Sequence, residues 1–129
     1  MATATKIKTF EAACKQLKID PKKLPDVSSL PEHHQLALIA HYKLVIISDA
    51  LNGGWKPNWS DSSERKYYPW FYVKADDKRP SGFGLSYGGY DVWFSLAIVG
   101  FRLCFKSREL AEYAGKTFIK LYEDYYLFK

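Results

Sequence analysis

The sequence has little cysteine and no long apolar run, which argues against several classes of protein. Only Cys14 and Cys104 occur, far apart and each in an apolar-patterned segment. This usage favours buried thiols in a reducing compartment; the alternative is a disulfide or a redox role. The opening stretch MATATKIKTF lacks the apolar core of a signal peptide, and no apolar stretch approaches the roughly 20 residues that span a bilayer. We therefore expect a soluble cytoplasmic protein without a membrane partner.

Motifs for metal binding and catalysis are also lacking. His34 and His41 lie on a predicted helix, where their spacing separates them by about 10 Å, too far to share one ion. No serine or cysteine stands in a nucleophile motif, and Asp76 and Asp77, which resemble part of a nuclease signature, fall in a predicted turn. The sequence therefore predicts no metal, no cofactor and no enzymatic activity. A pocket with converging acids would revive the enzyme alternative.

Aromatic residues are abundant. They make up 17% of the 129 residues, so a chain of this size can bury one stable core without disulfides or metal. The formal charge of +5 favours approach to polyanions, although acidic and basic residues are interspersed. We predict one domain over residues 1–129, with residues 1–8 flexible.

Three helical segments are indicated by apolar spacing and by capping residues. Residues 9–17 begin with a typical N-cap threonine, and a proline-rich connector follows. The central helix has a capping-box pair, Ser29 and Glu32, and ends at Gly53 of NGG. Ser107 is a typical N-cap for a last helix with an apolar stripe. That stripe comprises Leu110, Ala114, Phe118, Leu121 and Tyr125.

Three strands are predicted between the central and last helices. Residues 66–74 and about 83–94 flank the turn-forming stretch ADDKRPSG, so they should pair as antiparallel neighbours. Residues 101–106 alternate between apolar and polar side chains, which indicates a half-exposed third strand. Residues 95–99 fit a strand or a loop. The order α-α-β-β-β-α predicts an α+β fold, in which helices pack on an antiparallel sheet of three strands or slightly more.

The stretch KYYPWFYVK, residues 66–74, gives this strand two apolar or aromatic faces. Only one face can pack beneath the helices, so the other is exposed, or is covered by a partner or by a loop that folds back. Pro69 lacks a backbone N–H, which indicates an edge strand or a bulge. One face carries Tyr68, Trp70 and Tyr72, and the other carries Tyr67, Pro69, Phe71 and Val73.

Aromatic rings on an open sheet beside basic side chains are typical of single-strand nucleic-acid binders. Arg102 and Lys106 project from the polar face of the third predicted strand. With Tyr68, Trp70 and Tyr72 they would form one basic and aromatic surface. The sequence therefore predicts single-stranded DNA or RNA as a partner, bound by stacking and phosphate neutralisation. Further basic candidates are Lys66, Lys74, Lys78 and Arg79.

Two tryptophans, Trp55 and Trp59, bracket Pro57 in the loop WKPNWSD. Exposed aromatic rings in a loop are good anchors for a sugar, a peptide or another subunit. Alternatively, both rings tuck onto the domain and anchor the loop itself. Together with the aromatic edge strand, these tryptophans support a second hypothesis, in which the protein is a protein-interaction module.

Five long segments of the chain also carry a resemblance. They are KTFEAACKQL, LPDVSSLPE, AHYKLVIISDALNGGWKPNW, KYYPWFYV and RLCFKSRELAEYAGKTFIKLYEDYYL. Together they resemble a group of small uncharacterised proteins encoded by bacteriophages and prophages of gut bacteria. The group has no established activity, so the resemblance implies only a phage origin and work in the host cytoplasm or in the virion. Under the second hypothesis, the protein is then a virion accessory subunit or binds a phage or host protein.

Overall fold

The computed structural model describes residues 6–95 and 101–127. In this part of the chain the predicted α+β character is confirmed, with four α-helices and one two-stranded antiparallel sheet. Residues 1–5 of the segment predicted to be flexible (1–8) and residues 96–99 of the undecided segment (95–99) lie outside the described residues. In chain order the elements are α1 (Phe10–Leu17), α2 (Glu32–Asn52), β1 (Lys66–Ala75), β2 (Phe83–Trp93), a 3-10 turn (Phe101–Leu103), α3 (Arg108–Thr117) and α4 (Ile119–Tyr126).

Side-chain or glycine caps define three of the helix ends that the structure describes. The hydroxyls of Thr9 and Ser107 each accept a hydrogen bond from the N–H three residues on, at 3.1 and 3.2 Å, so both predicted N-caps are confirmed. Gly53 closes α2 with a left-handed φ of 60°, also as predicted. The capping box at Ser29 is wrong, because α2 begins only after Pro31, which has no side-chain cap bond.

The predicted third strand, residues 101–106, is wrong. Residues 103–105 are all buried, between 0% and 3% exposed, so their alternation is not that of a half-exposed strand. Phe105 makes one isolated β-bridge, in which it exchanges both backbone hydrogen bonds with Tyr67. The amide of Asn52 then replaces a strand partner: it donates to the carbonyl before Phe105 (3.0 Å) and accepts from the N–H after it (3.1 Å).

The single C-terminal helix predicted from the apolar stripe is two helices. α3 and α4 meet at Phe118, whose φ of −110° and ψ of 24° depart from helical values. Its N–H still bonds the Ala114 carbonyl at 2.9 Å. The break shifts the buried stripe by one residue, so Tyr122 lies in the core, while Leu121 and Tyr125 are half-buried.

Helices α3 and α4 pack on the face of the hairpin that carries Tyr67, Pro69 and Phe71. The ring of Phe71 lies 4.9 Å from that of Tyr122 in α4. Gly115 of α3 lies so close that a Cβ there would be 2.8 Å from the Cβ of Pro69. On the far side of α4, α2 packs against α4 and α1. This face of the hairpin is therefore part of the core.

Pro69 lies at the outer edge of β1, as its missing N–H predicts. The N–H and carbonyl of Tyr67 point toward Phe105, away from β2. Because the backbone pattern of a strand repeats every two residues, the nitrogen of Pro69 points outward as well. The ladder between β1 and β2 therefore loses no hydrogen bond at this position.

Two tyrosines, the buried Tyr122 and the half-buried Tyr113, give different predictions for removal of the hydroxyl. The Tyr122 hydroxyl is buried without a hydrogen-bond partner among the described residues, whereas the Tyr113 hydroxyl donates to the Ile7 carbonyl at 2.9 Å. We expect Tyr122→Phe to leave the free energy of unfolding unchanged or to raise it, and Tyr113→Phe to lower it by about 1 kcal/mol. Urea unfolding followed by circular dichroism checks both, and a clear loss in Tyr122→Phe would contradict the assignment.

Candidate functional site

The open face of the hairpin carries Tyr68, Trp70 and Tyr72, opposite the face covered by α3 and α4. Trp70 and Tyr72 are 39% and 54% exposed, and Tyr68 is half-buried. The sequence alone left undecided which aromatic face would be exposed. The structure brings these three predicted residues together on the solvent side. We call this surface, Tyr68, Trp70 and Tyr72, the open face.

A glycine bulge supports the ring of Trp70. β1 and β2 change register between Trp70 and Phe71, which leaves Gly88 as the extra residue of β2. A Cβ on Gly88 would lie 2.2 Å from a ring carbon of Trp70, and one on Gly89 would lie 3.2 Å from its Nε1. The indole therefore rests directly on backbone. Tyr72 meets it edge to face, with ring centroids 5.1 Å apart at 76°.

Charge around the open face is mixed. Lys74 is exposed, and strand alternation puts it on the same face as Trp70 and Tyr72. Asp91 pairs with Tyr68 across the ladder, and burial together with this carboxylate raises the pKa of Tyr68. The tyrosine therefore keeps its proton at neutral pH. The basic end of the face, near Lys74, is the end better suited to an anionic partner.

Arg102 and Lys106 do not lie where the sequence predicts. The strand that was to align them with the open face is not formed. Arg102 instead lines a pocket with Trp55 and Trp59, and the Nζ of Lys106 lies 3.7 Å from the position of a Cβ on Gly53, at the end of α2. The predicted surface is thus divided into an aromatic part on the hairpin and a basic part beside the tryptophan loop.

Lys66 is fully buried, although the sequence offers it as a phosphate ligand. Its Nζ donates to the carbonyls of Asn58 (2.9 Å), Asp61 (3.2 Å) and Glu64 (3.1 Å). It also lies 3.3 Å from the Glu64 carboxylate and 5.0 Å from the ring centroid of Trp59. Lys66 therefore holds the loop onto the hairpin and cannot contact a ligand. We call this arrangement the lysine cage.

Arg79, another basic candidate, forms ion pairs with Asp76 and Glu123. The carboxylate of Glu123 also accepts a hydrogen bond from the N–H of Leu85 at 3.0 Å. These bonds attach the hairpin turn to α4, so Arg79 has a structural role. Lys78, the remaining basic candidate, is exposed in the same turn.

The tryptophan loop forms a pocket against the C-terminal half of α2. Its volume is about 640 Å³. Trp55 is half-buried and Trp59 is 43% exposed. Neither ring is therefore fully buried against the domain or fully exposed to solvent. Sequence reasoning missed that Ser48 and Asp49 line this pocket. Their polar side chains interrupt an otherwise apolar helix segment, and that interruption was the available signal.

Both cysteines are buried free thiols, which confirms the predicted pattern. Burial raises the pKa of the Cys104 thiol to about 11, and burial is also the main cause that raises the pKa of Cys14. Both thiols are therefore protonated and unreactive at neutral pH. Within residues 6–95 and 101–127, no group of three or more potential ligands among His, Cys, Asp and Glu could hold a metal ion.

None of the helices that the structure describes combines the length and apolarity needed to cross a bilayer. No protein-family model matches the chain, and neither the curated proteins nor the solved structures give a significant match. Function therefore has to be argued from the surface itself. The phage origin implied by the resemblance, like the host cytoplasm or virion as location, stays a prediction.

Proposed function

We propose that the protein binds single-stranded nucleic acid by stacking bases on the open face. The observation that carries this proposal is the exposure of Trp70 and Tyr72 on the side away from the helices, with Trp70 supported by glycine backbone. Rings fixed before binding lose little conformational entropy when a base stacks on them. Every base has a π-face, so such a surface binds single strands with little sequence preference.

The strand of nucleic acid would run along β1. Alternate residues of a strand lie about 7 Å apart along the backbone, and the rings of Trp70 and Tyr72 approach to 5.1 Å between centroids. With Tyr68 they form one aromatic surface along β1. Lys74 and Lys78 then take the place of Arg102 and Lys106 as the phosphate contacts of this face. The overall charge of +5 adds a long-range attraction. Affinity should therefore fall as salt rises.

Replacing Trp70 with alanine tests this proposal. We expect Trp70→Ala to weaken binding of a fluorescent single-stranded oligonucleotide about 5- to 150-fold, which corresponds to one stacked base at about 1–3 kcal/mol. Fluorescence anisotropy with DNA and RNA, each at two salt concentrations, measures the loss.

The matched control is Phe83→Ala. Phe83 is 47% exposed on the same hairpin but lies beside Lys120 and Glu123 of α4, toward the helix side, so its loss should leave strand binding unchanged. Circular dichroism verifies that both variants fold. Equal losses in the two variants, or no binding of the unmodified protein at low salt, would remove the proposed function.

A protein-interaction module is the second candidate, and the end of the hairpin favours it. Val73 and Phe83 are 57% and 47% exposed on the helix side of this end, opposite Tyr72. Large apolar or aromatic side chains are therefore exposed on both faces of this end. Large exposed aromatic and aliphatic side chains are typical anchors of protein interfaces. This function predicts association that salt changes little. Size-exclusion chromatography with light scattering at low and high salt separates it from strand binding.

A further inference from the structure

The pocket beside the tryptophan loop has the chemistry of a small anionic ligand site. Two cations, Lys56 and Arg102, line it together with one carboxylate, Asp49. The Cys104 thiol also lines it and is neutral at neutral pH, so it does not repel an anion. The volume of about 640 Å³ falls within the roughly 300–1,000 Å³ typical of small-molecule sites. The balance of charge favours an anion over a cation.

Ser48 contributes an unsatisfied polar group to the wall of the pocket. It is only 3% exposed and lines the pocket, yet its hydroxyl has no hydrogen-bond partner among the described residues. A buried hydroxyl without a partner is uncommon, and its presence calls for an unseen water, ion or ligand atom. The Ser48 oxygen itself is buried in this conformation, so a phosphate oxygen or a sugar hydroxyl in the pocket would satisfy it once the side chain rotates about χ1.

The two indole rings favour an anion that is also planar. Trp55 and Trp59 both line the pocket, and indole rings stack on planar heterocycles. A cationic ligand is disfavoured, because the ammonium of Lys66 already lies 5.0 Å from the centroid of Trp59 and two further cations line the pocket. A ligand that is both planar and anionic fits this arrangement better than a neutral sugar or a peptide does.

We propose that this pocket binds one nucleotide, with its base against the tryptophan rings and its phosphate near Arg102, Lys56 and the Ser48 hydroxyl. Asp49 can accept hydrogen bonds from the amino group of a base or from sugar hydroxyls. The nucleotide can be free, or it can be the phosphorylated end of a strand. The second form rests on the proposed function, whereas the first does not need the open face.

Titration calorimetry with AMP, and with adenosine as the ligand lacking phosphate, tests the pocket in the full chain. We expect AMP to bind at least about tenfold more tightly than adenosine, because charge-assisted bonds to phosphate are strong. Arg102→Gln should weaken AMP binding about tenfold, and Ser48→Ala about two- to fivefold. The control is Arg108→Gln, because Arg108 pairs with Glu109 on the surface of α3 and should leave AMP binding unchanged.

Oligonucleotides with and without a 5′-phosphate distinguish a free nucleotide from the phosphorylated end of a strand as the ligand. A gain from the phosphate that disappears in Arg102→Gln supports capture of a strand end. Binding of AMP that survives Trp70→Ala supports the pocket, even if strand binding by the open face fails. If neither AMP nor the terminal phosphate responds to Arg102→Gln, the pocket proposal is overturned, even where Trp70→Ala shows that the open face binds strands.

Discussion

Replacing Lys66 with methionine should lower the free energy of unfolding by about 3–5 kcal/mol, the range found when one partner of a buried charged network is removed. Methionine keeps the apolar stem but donates no hydrogen bond. The carbonyls of residues 58, 61 and 64 then lose the ammonium donor at once, although the first two each keep a backbone N–H. The Glu64 carboxylate loses its cation. Because these groups lie in one loop, we expect that loop to detach from the hairpin.

Urea unfolding measures the loss, and limited proteolysis of the loop reports the detachment. Lys74→Met is the matched control, since Lys74 is an exposed lysine of the same strand and should change stability by no more than about 0.5 kcal/mol. The loss of stability in Lys66→Arg should lie between those of Lys66→Met and Lys74→Met, because a planar guanidinium keeps the charge but cannot reproduce the three bonds of an ammonium. A loss below about 1 kcal/mol in Lys66→Met would show that the lysine cage is dispensable.

The second large effect is expected from Gly115→Val in α3. A Cβ at this position would lie 2.8 Å from the Cβ of Pro69 and 2.8 Å from Cδ1 of Tyr87. Both neighbours belong to the packed face of the hairpin, and the ring of Pro69 is fixed to the backbone of β1, so a bulky side chain should push the helix away from the sheet. We expect a loss of about 3 kcal/mol or more, at the upper end of what overpacking costs.

The same unfolding experiment with Thr117→Val separates overpacking from helix propensity. Thr117 is an exposed residue of α3, and valine there should change stability by no more than about 0.5 kcal/mol. Gly115→Ala is informative as well, because alanine favours a helix over glycine by about 1 kcal/mol. If alanine stabilises the protein, the contact with Pro69 can relax and the tight packing of α3 is not required.

Interactions between residues close in sequence made much of the fold predictable. Thr9, Ser107 and Gly53 act within one helical turn of their own positions, so their caps could be read directly from the sequence. The hairpin also followed from local features, a turn-rich stretch between two aromatic segments. The prediction of a third strand was wrong because Asn52, which lies 52 positions before Cys104, bonds the backbone on either side of Phe105. Spacing within a segment carries no information about such a partner.

The candidate site was predictable in part for the same reason. Alternation placed Tyr68, Trp70 and Tyr72 on one face, but both faces of the strand were apolar, so burial depended on where α3 could approach. Gly115 allows that approach on the side of Pro69. The role of Lys66 could not be predicted, because a lysine in a strand looks like a surface charge until the loop closes over it.

The glycine bulge beneath Trp70 should also couple the substitutions that evolution allows at Trp70 and Gly88. While the indole lies across Gly88, any side chain there collides with it, so only glycine is tolerated. Once Trp70 is replaced by a small residue, that restriction on Gly88 disappears. In related sequences the two positions should therefore change as a pair, tryptophan with glycine or a small residue with a larger one. A related protein that keeps Trp70 and Gly88 keeps the exposed ring of the open face. One that has lost the tryptophan can also replace the glycine.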